Sequence, residues 1–155
     1  IDLAIINGIA KGIEIKSNRD SLGRLSHQIL TYNKIFDVME IVVGKNHLSS
    51  VLKMVPDWWG VSLITIDSSN CLEYEKIRKS KINKMKDPLS VIQLLWKSEA
   101  LNLLGKKNLT NKFKNKSKKE ICNQLLELFQ KQELFAFVNE TLKMRQNWRS
   151  VHQLK

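Results

Sequence analysis

Glu14-Ile15-Lys16 sets a carboxylate and an amine two residues apart. In an extended strand that spacing puts Glu14 and Lys16 on one face and Ile13 and Ile15 on the other. Asp2 lies upstream, across an Asn7-Gly8 turn signal. If the chain closes as a hairpin around Asn7-Gly8-Ile9, Ile6 pairs with Ala10 and Asp2 falls opposite Glu14. Two carboxylates opposed on one sheet face are unfavourable neighbours. A hard divalent cation, Mg²⁺ or Mn²⁺, removes that penalty, because it takes carboxylate oxygens and keeps room for waters and a substrate phosphate. Lys16, on the same face, can hold or deprotonate a water aligned on that phosphate. The set supplies a Lewis acid, a positioned nucleophile and charge stabilisation, which is what phosphodiester hydrolysis needs. The competing use of Glu-x-Lys in a strand is a solvated outer face with a modest ion pair, and a one-residue slip of register would separate Asp2 from Glu14.

Further residues add to the constellation. Gln28 and Tyr32 stand four apart and share a helix face, and that helix follows Lys16 by a short loop. Ser17, Asn18, Arg19 and Arg24 gather hydroxyl, amide and guanidinium groups suited to phosphate around the same segment. Trp58-Trp59 could stack on bases, although alternation makes at least one of them a core residue. His27, His47 and His152 share no ligand spacing with one another or with Cys71 and Cys122, which argues against zinc. Neither a G-x-G-x-x-G nor a P-loop occurs, so nucleoside triphosphate use is unsupported.

The elements that must position these groups follow from periodicity. Isoleucine-rich runs over 2–6 and 12–16 read as the two arms of the hairpin. Leu22, Leu25, Ile29, Tyr32 and Phe36 recur at helical spacing, predicting a helix over 20–36 capped by Asp20 or Ser21. A strand is expected over 38–43, a helix over 46–55 that stops at Pro56, and strands over 61–66 and 72–77. Strand-helix-strand order implies an α/β sandwich with part of its sheet parallel. Residues 79–87 are mostly charged and end in Asp87-Pro88, as a linker and helix start would. Beyond them the pattern is helical, with helices expected over 88–104, 117–130 and 132–146. Ser117-Lys118-Lys119-Glu120 provides a capping box for the second. The organisation is therefore an α/β core over 1–78, a linker over 79–87 and a small all-α subdomain over 88–155.

The chain has 155 residues and a net charge of +11, with 43% hydrophobic residues. That is one domain's worth of chain, too apolar for a disordered tail and too charged for a membrane protein. Two well-separated cysteines offer no disulfide framework, so a reducing, cytoplasmic setting is expected. Lys106, Lys107, Lys112, Lys114, Lys116, Lys118 and Lys119 fall in one stretch without an acid. Such a block attracts polyanions, with nucleic acid the expected one. A merely solvated lysine-rich surface is the alternative.

Asp2, Glu14-Ile15-Lys16 and Gln28-x-x-x-Tyr32, in that order, resemble the PD-(D/E)XK nuclease superfamily, in its RecB-like branch with a Q-x-x-x-Y helix. Residues 1–64 more closely resemble a family of small bacterial and phage proteins. The pieces that carry this are Ile1-Asp2-Leu3-Ala4, Gly12-Ile13-Glu14-Ile15-Lys16-Ser17, Gln28, Tyr32, Phe36-Asp37, Val42-Val43-Gly44 and Pro56-Asp57-Trp58-Trp59-Gly60. The similarity extends through Leu95-Trp96, Glu99-Ala100 and Trp148-Arg149.

The resemblance implies a restriction-endonuclease-like core and a Mg²⁺- or Mn²⁺-dependent nuclease, with DNA favoured over RNA. Asp2, Glu14 and the Ile15 carbonyl would be metal ligands, Lys16 would act on the attacking water, and Gln28 and Tyr32 would orient the lysine or the substrate. Arg19, Arg24 and the lysines of 106–119 would hold the strand. A homodimer or a larger protein complex is compatible, and no membrane is involved. The superfamily usually carries an acid on a helix upstream of the aspartate strand. This sequence starts at that strand, so residues before Ile1 are expected. The rival readings are a non-catalytic nucleic-acid-binding module and a protein-interaction domain on the same fold.

Overall fold

The computed structural model describes residues 1–146. Trp148-Arg149 and His152 lie outside the described residues. Five strands form one mixed sheet in sequence order: β1 Leu3–Asn7, β2 Ile9–Lys16, β3 Val38–Gly44, β4 Gly60–Ile66 and β5 Leu72–Arg78. β1 and β2 are antiparallel, β2, β3 and β4 run parallel, and β5 returns antiparallel. The hairpin pairs Ile6 with Ala10 and Leu3 with Ile13, the expected register. Gly8 sits at its tip with φ of +75°, a left-handed conformation that costs glycine little.

Two crossovers carry helices onto one face of the sheet, α1 Leu25–Tyr32 and α2 Leu48–Met54, the latter preceded by a single 3₁₀ turn at Lys45–His47. Leu25, Ile29, Tyr32, Val51 and Trp59 bury against Met39, Ile41, Val43 and Val61 to make the first core. Trp59 is the core member of the Trp58-Trp59 pair, and its indole N–H donates to Asn33 Oδ1 at 2.8 Å. The opposite sheet face leaves Leu3, Ile5, Ile15, Ile66 and Leu72 exposed.

α1 is shorter than the 20–36 periodicity predicts. Asp20 and Ser21 do not cap it; they fold the preceding loop, the Asp20 carboxylate accepting from Ser17 N–H at 2.6 Å and Ser21 Oγ from Gly23 N–H at 3.1 Å. At its other end the chain turns so that Asp37 can join β2: Asp37 N–H donates to the Ala10 carbonyl, and its carboxylate accepts from Ala10 N–H at 2.8 Å.

Five helices follow: α3 Pro88–Ile92, α4 Lys97–Gly105, α5 Thr110–Phe113, α6 Lys118–Leu128 and α7 Lys131–Met144. The single helix expected over 88–104 is broken between α3 and α4. Glu99 reaches back to the Trp96 N–H at 2.6 Å and starts a new helix there, and Arg145 clamps Glu99 in turn. Ser117 and Glu120 form the expected reciprocal cap on α6. Ile92, Leu95, Leu104, Ile121, Leu125 and Leu134 centre a second core.

The two cores meet at the hairpin, where Ile6 packs against both. Asn139 of α7 donates to the Gly8 carbonyl at 3.0 Å. Residues 79–87 adopt no helix or strand but lie pinned along the core: Asn83 donates to the Asn33 and Phe36 carbonyls, and Lys86 pairs with Asp37 at 2.5 Å. Among the described residues, no helix is long and apolar enough to cross a membrane.

Candidate functional site

β2 is flanked on both sides, so its alternation sorts two environments. Ala10, Gly12, Glu14 and Lys16 face the helices, and Ile15 faces out. The Glu-x-Lys pair is therefore on the covered face, where an ion pair must be satisfied internally. Glu14 is 2% exposed. Its Oε1 accepts from Lys16 Nζ at 2.8 Å and from Gln28 Nε2 at 2.5 Å, and its Oε2 accepts from the Tyr32 hydroxyl at 3.2 Å. α1 runs back along β2, and its Gln28 and Tyr32, one turn apart, present their polar ends to the same carboxylate. Burial, and then the Glu14 charge, push the Tyr32 phenol above its usual pKa, so it serves as a donor. The Ile1 nitrogen donates to the Tyr32 hydroxyl at 2.6 Å and lies 3.9 Å from Glu14 Oε2.

Asp2 sits at the edge of this cluster. The β1 ladder ends at Leu3 opposite Ile13, and Asp2 Oδ2 then accepts from Ile15 N–H at 2.7 Å. The N–H and C=O of one strand residue point to the same edge, so the Ile15 carbonyl shares that edge with the Asp2 carboxylate. Gln28 Oε1 is buried without a hydrogen-bond partner among the described residues. Lys16, Gln28 and Tyr32 thus converge on Glu14, with Asp2 and Ile15 on the adjoining strand edge.

The expected nucleic-acid contacts divide into two groups. Arg19 and Arg24 lie in the loop between β2 and α1, at the Lys16 end. The lysines of 106–119 belong to the helical subdomain, whose α7 meets β2 at Gly8, the other end of the strand. Gln93, in the same helical region, also lines a pocket with His27 and Thr31 of α1, the helix that carries Gln28. Several of these lysines are engaged: Lys106, Lys107 and Lys112 lie over the rings of Phe137, Phe129 and Phe113, Lys116 pairs with Glu120 at 3.2 Å, and Lys118 donates to the Gln93 carbonyl. Lys114 and Lys119 have no ion pair among the described residues.

A second buried carboxylate lies on the opposite sheet face, at Glu40 of β3. Lys11 Nζ at 2.7 Å and Lys76 Nζ at 3.0 Å pair with it, and Ser62 and Tyr74 donate to it at 2.7 and 2.8 Å. Burial alone would push its carboxyl up, but these donors outweigh burial and hold the pKa at about 2. Its signal in the sequence is a lone acid within Val38-Met39-Glu40-Ile41-Val42-Val43, which a buried strand tolerates only with partners. Through these donors Glu40 ties β2, β3, β4 and β5 together.

The family described as bacteriophage P4 protein cII matches residues 1–154, almost the whole chain. The chain belongs to that family. Protein cII of Enterobacteria phage P4 is 29% identical over 145 residues, which covers 93% of this chain and 53% of that protein. The chain thus spans about half the length of this P4 cII relative. No solved structure matches.

Proposed function

We propose that this P4 cII family member is a metal-dependent phosphodiesterase that hydrolyses DNA on a restriction-endonuclease-like α/β core in the cytoplasm. The observation that carries the reading is the convergence of Lys16, Gln28 and Tyr32 on the buried Glu14 carboxylate, with Asp2 on the strand edge beside it. The donors fit a hard cation: two carboxylates and a backbone carbonyl, all oxygen, next to the unpartnered Gln28 Oε1. Asp2, Glu14 and the Ile15 carbonyl would hold Mg²⁺ or Mn²⁺, which when bound supplies Lewis-acid polarisation of the phosphate.

The chain's own groups do the rest. Glu14 keeps the Lys16 ammonium oriented, and Lys16 holds the attacking water and offsets the charge that develops on phosphorus. Gln28 and Tyr32 are positioning residues: they fix the Glu14 carboxylate by donating to it, and burial keeps the Tyr32 proton in place. Gln28 Oε1 can accept from a water delivered to the site. Arg19 and Arg24 supply cations to the substrate backbone near the cut.

A non-catalytic nucleic-acid-binding module is the second reading, favoured by the fact that Lys16 already neutralises the Glu14 carboxylate and Gln28 donates to the same oxygen. One experiment separates them. Full-length protein is incubated with single- and double-stranded DNA and Mg²⁺ or Mn²⁺, beside Glu14→Ala and Lys16→Ala. Cleavage by the unaltered protein and its loss in both variants supports catalysis. Salt-sensitive binding that survives Glu14→Ala, with no turnover under either metal, rejects it.

A further inference from the structure

Because β2, β3 and β4 are parallel, their carboxyl ends open at one edge of the sheet. β2 ends at Lys16 and continues into Ser17-Asn18-Arg19, while β3 ends at Gly44 and continues into Lys45. The two loops are fastened together. Asn18 Oδ1 accepts from Asn46 N–H at 3.0 Å. A Cβ at position 44 would come within 2.9 Å of the Asn18 backbone nitrogen, so only glycine lets the first loop lie across the end of β3.

The result is a cleft of about 580 Å³, within the roughly 300–1,000 Å³ span of small-molecule sites. One wall carries Arg19 and Lys45, both exposed and without an ion pair among the described residues. Of the acids nearby, Asp20 accepts from Ser17 N–H, Asp67 from Ser69 and Cys71 N–H, and Glu73 from the Thr65 hydroxyl on the other face of the sheet. The other wall is aliphatic, formed by Ile64, Ile66 and Leu72. Cations facing an apolar wall suit a group that is anionic at one end and flat and apolar at the other.

We propose that this cleft is a nucleotide subsite, holding a phosphate on Arg19 and Lys45 and its base against Ile64, Ile66 and Leu72. It lies at the carboxyl edge of the sheet, where Ser17 follows Lys16, with its aliphatic wall on the sheet face opposite the Glu14–Lys16 pair. The choice of DNA as substrate rests on the function proposed above; the place and chemistry of the cleft do not.

The test uses deoxythymidine 3′,5′-bisphosphate as probe, added to ¹⁵N-labelled full-length protein in EDTA. Amide shifts are expected at Ser17, Asn18, Arg19, Lys45 and Thr65. Affinity should fall at least about tenfold in the double variant Arg19→Glu, Lys45→Glu, and also in Ile66→Ser, which strips part of the aliphatic wall without changing charge. Each variant's remaining spectrum checks its fold. No shift, shifts confined to 106–119, or affinity unchanged in both variants overturns the proposal. Shifts that persist in a protein without turnover leave the subsite standing and reject only the nuclease. DNA cleavage whose KM is indifferent to both variants leaves the nuclease standing and rejects the subsite.

Discussion

Lys16 Nζ lies 2.8 Å from Glu14 Oε1, and both side chains are buried beneath α1. Removing one member of such a pair strands the other charge in a place with little water, which typically costs about 3–5 kcal/mol. Glu14→Gln and Lys16→Met should each destabilise the protein on that scale, while the double variant, which leaves no lone charge, should recover part of the loss. Urea denaturation of the four proteins measures the coupling. In the cleavage assay no such recovery is expected: each single variant and the double should lose at least about a hundredfold. Activity that returns with stability would mean the pair is structural.

Tyr32 separates packing from chemistry. Its ring stacks on Trp59 with centroids 6.3 Å apart and meets Phe36 edge-on at 5.9 Å, while its hydroxyl donates to Glu14. Tyr32→Phe keeps both ring contacts and removes one buried donor, for a cost of about 1 kcal/mol. Cleavage should fall about tenfold or more, because Glu14 would lose one of the groups that fix it. The alkaline side of the pH–rate profile should not change, since the phenol is held above its usual pKa and stays protonated. An alkaline limb that disappears in the variant would assign Tyr32 a titrating role instead.

Glu40 is one of several carboxyls held below their ordinary values, with Asp20, Asp87, Glu99 and Glu120, and the most deeply buried of them. Its folded pKa of about 2 lies below the ordinary carboxylate value. Its contribution is therefore present above about pH 4.5 and lost as pH falls through the folded value near 2. A shift of that size corresponds to roughly 3 kcal/mol at neutral pH. Glu40→Gln should be destabilised by that amount at pH 7, and the gap to the unaltered protein should narrow steadily between about pH 4.5 and pH 2. Thermal melts across that window measure it, and a gap that stays constant with pH would show that the charge is not what Glu40 contributes.

Much of this architecture was readable from the chain because local rules acted unopposed. The Asn7-Gly8 turn set the hairpin register, so Ile6 met Ala10 as expected. Gln28 and Tyr32 reached Glu14 because their spacing and the short loop after Lys16 left the helix little choice. Other features depended on partners remote in sequence. The break at Trp96 is made by Glu99 with Arg145 behind it, and no Ser or Thr marks it as a cap. Asp20 looked like a helix cap because its type suits one, but Ser17 N–H competes for the same carboxylate. Glu40 went unread because its meaning lies on three other strands. The lysine block was visible as charge, but the sequence did not say that five of its seven side chains are engaged by rings, Glu120 or a carbonyl.

The position of that block relative to the Glu14–Lys16 site bears directly on DNA length. Lys118 donates to the Gln93 carbonyl, and Gln93 lines a pocket with His27 and Thr31 of α1. The block and the Glu14–Lys16 site therefore border the same helix, and a duplex must be long enough to reach both. Duplexes too short to reach both can engage only one, so affinity at fixed salt should rise with duplex length until both are engaged. Lys114→Gln with Lys119→Gln should remove that rise and lower the slope of log K against log salt by about one for each phosphate no longer neutralised. Lys106→Gln should behave differently. Its ammonium lies 5.2 Å from the Phe137 ring, so the substitution should cost about 0.5–1 kcal/mol of stability and affect long and short duplexes alike. Fluorescence anisotropy with duplexes of graded length at two salt concentrations, beside urea denaturation of the Lys106 variant, measures all three quantities. A smooth length dependence that the double variant leaves unchanged would mean the lysines of 106–119 do not share a DNA strand with the Glu14–Lys16 site.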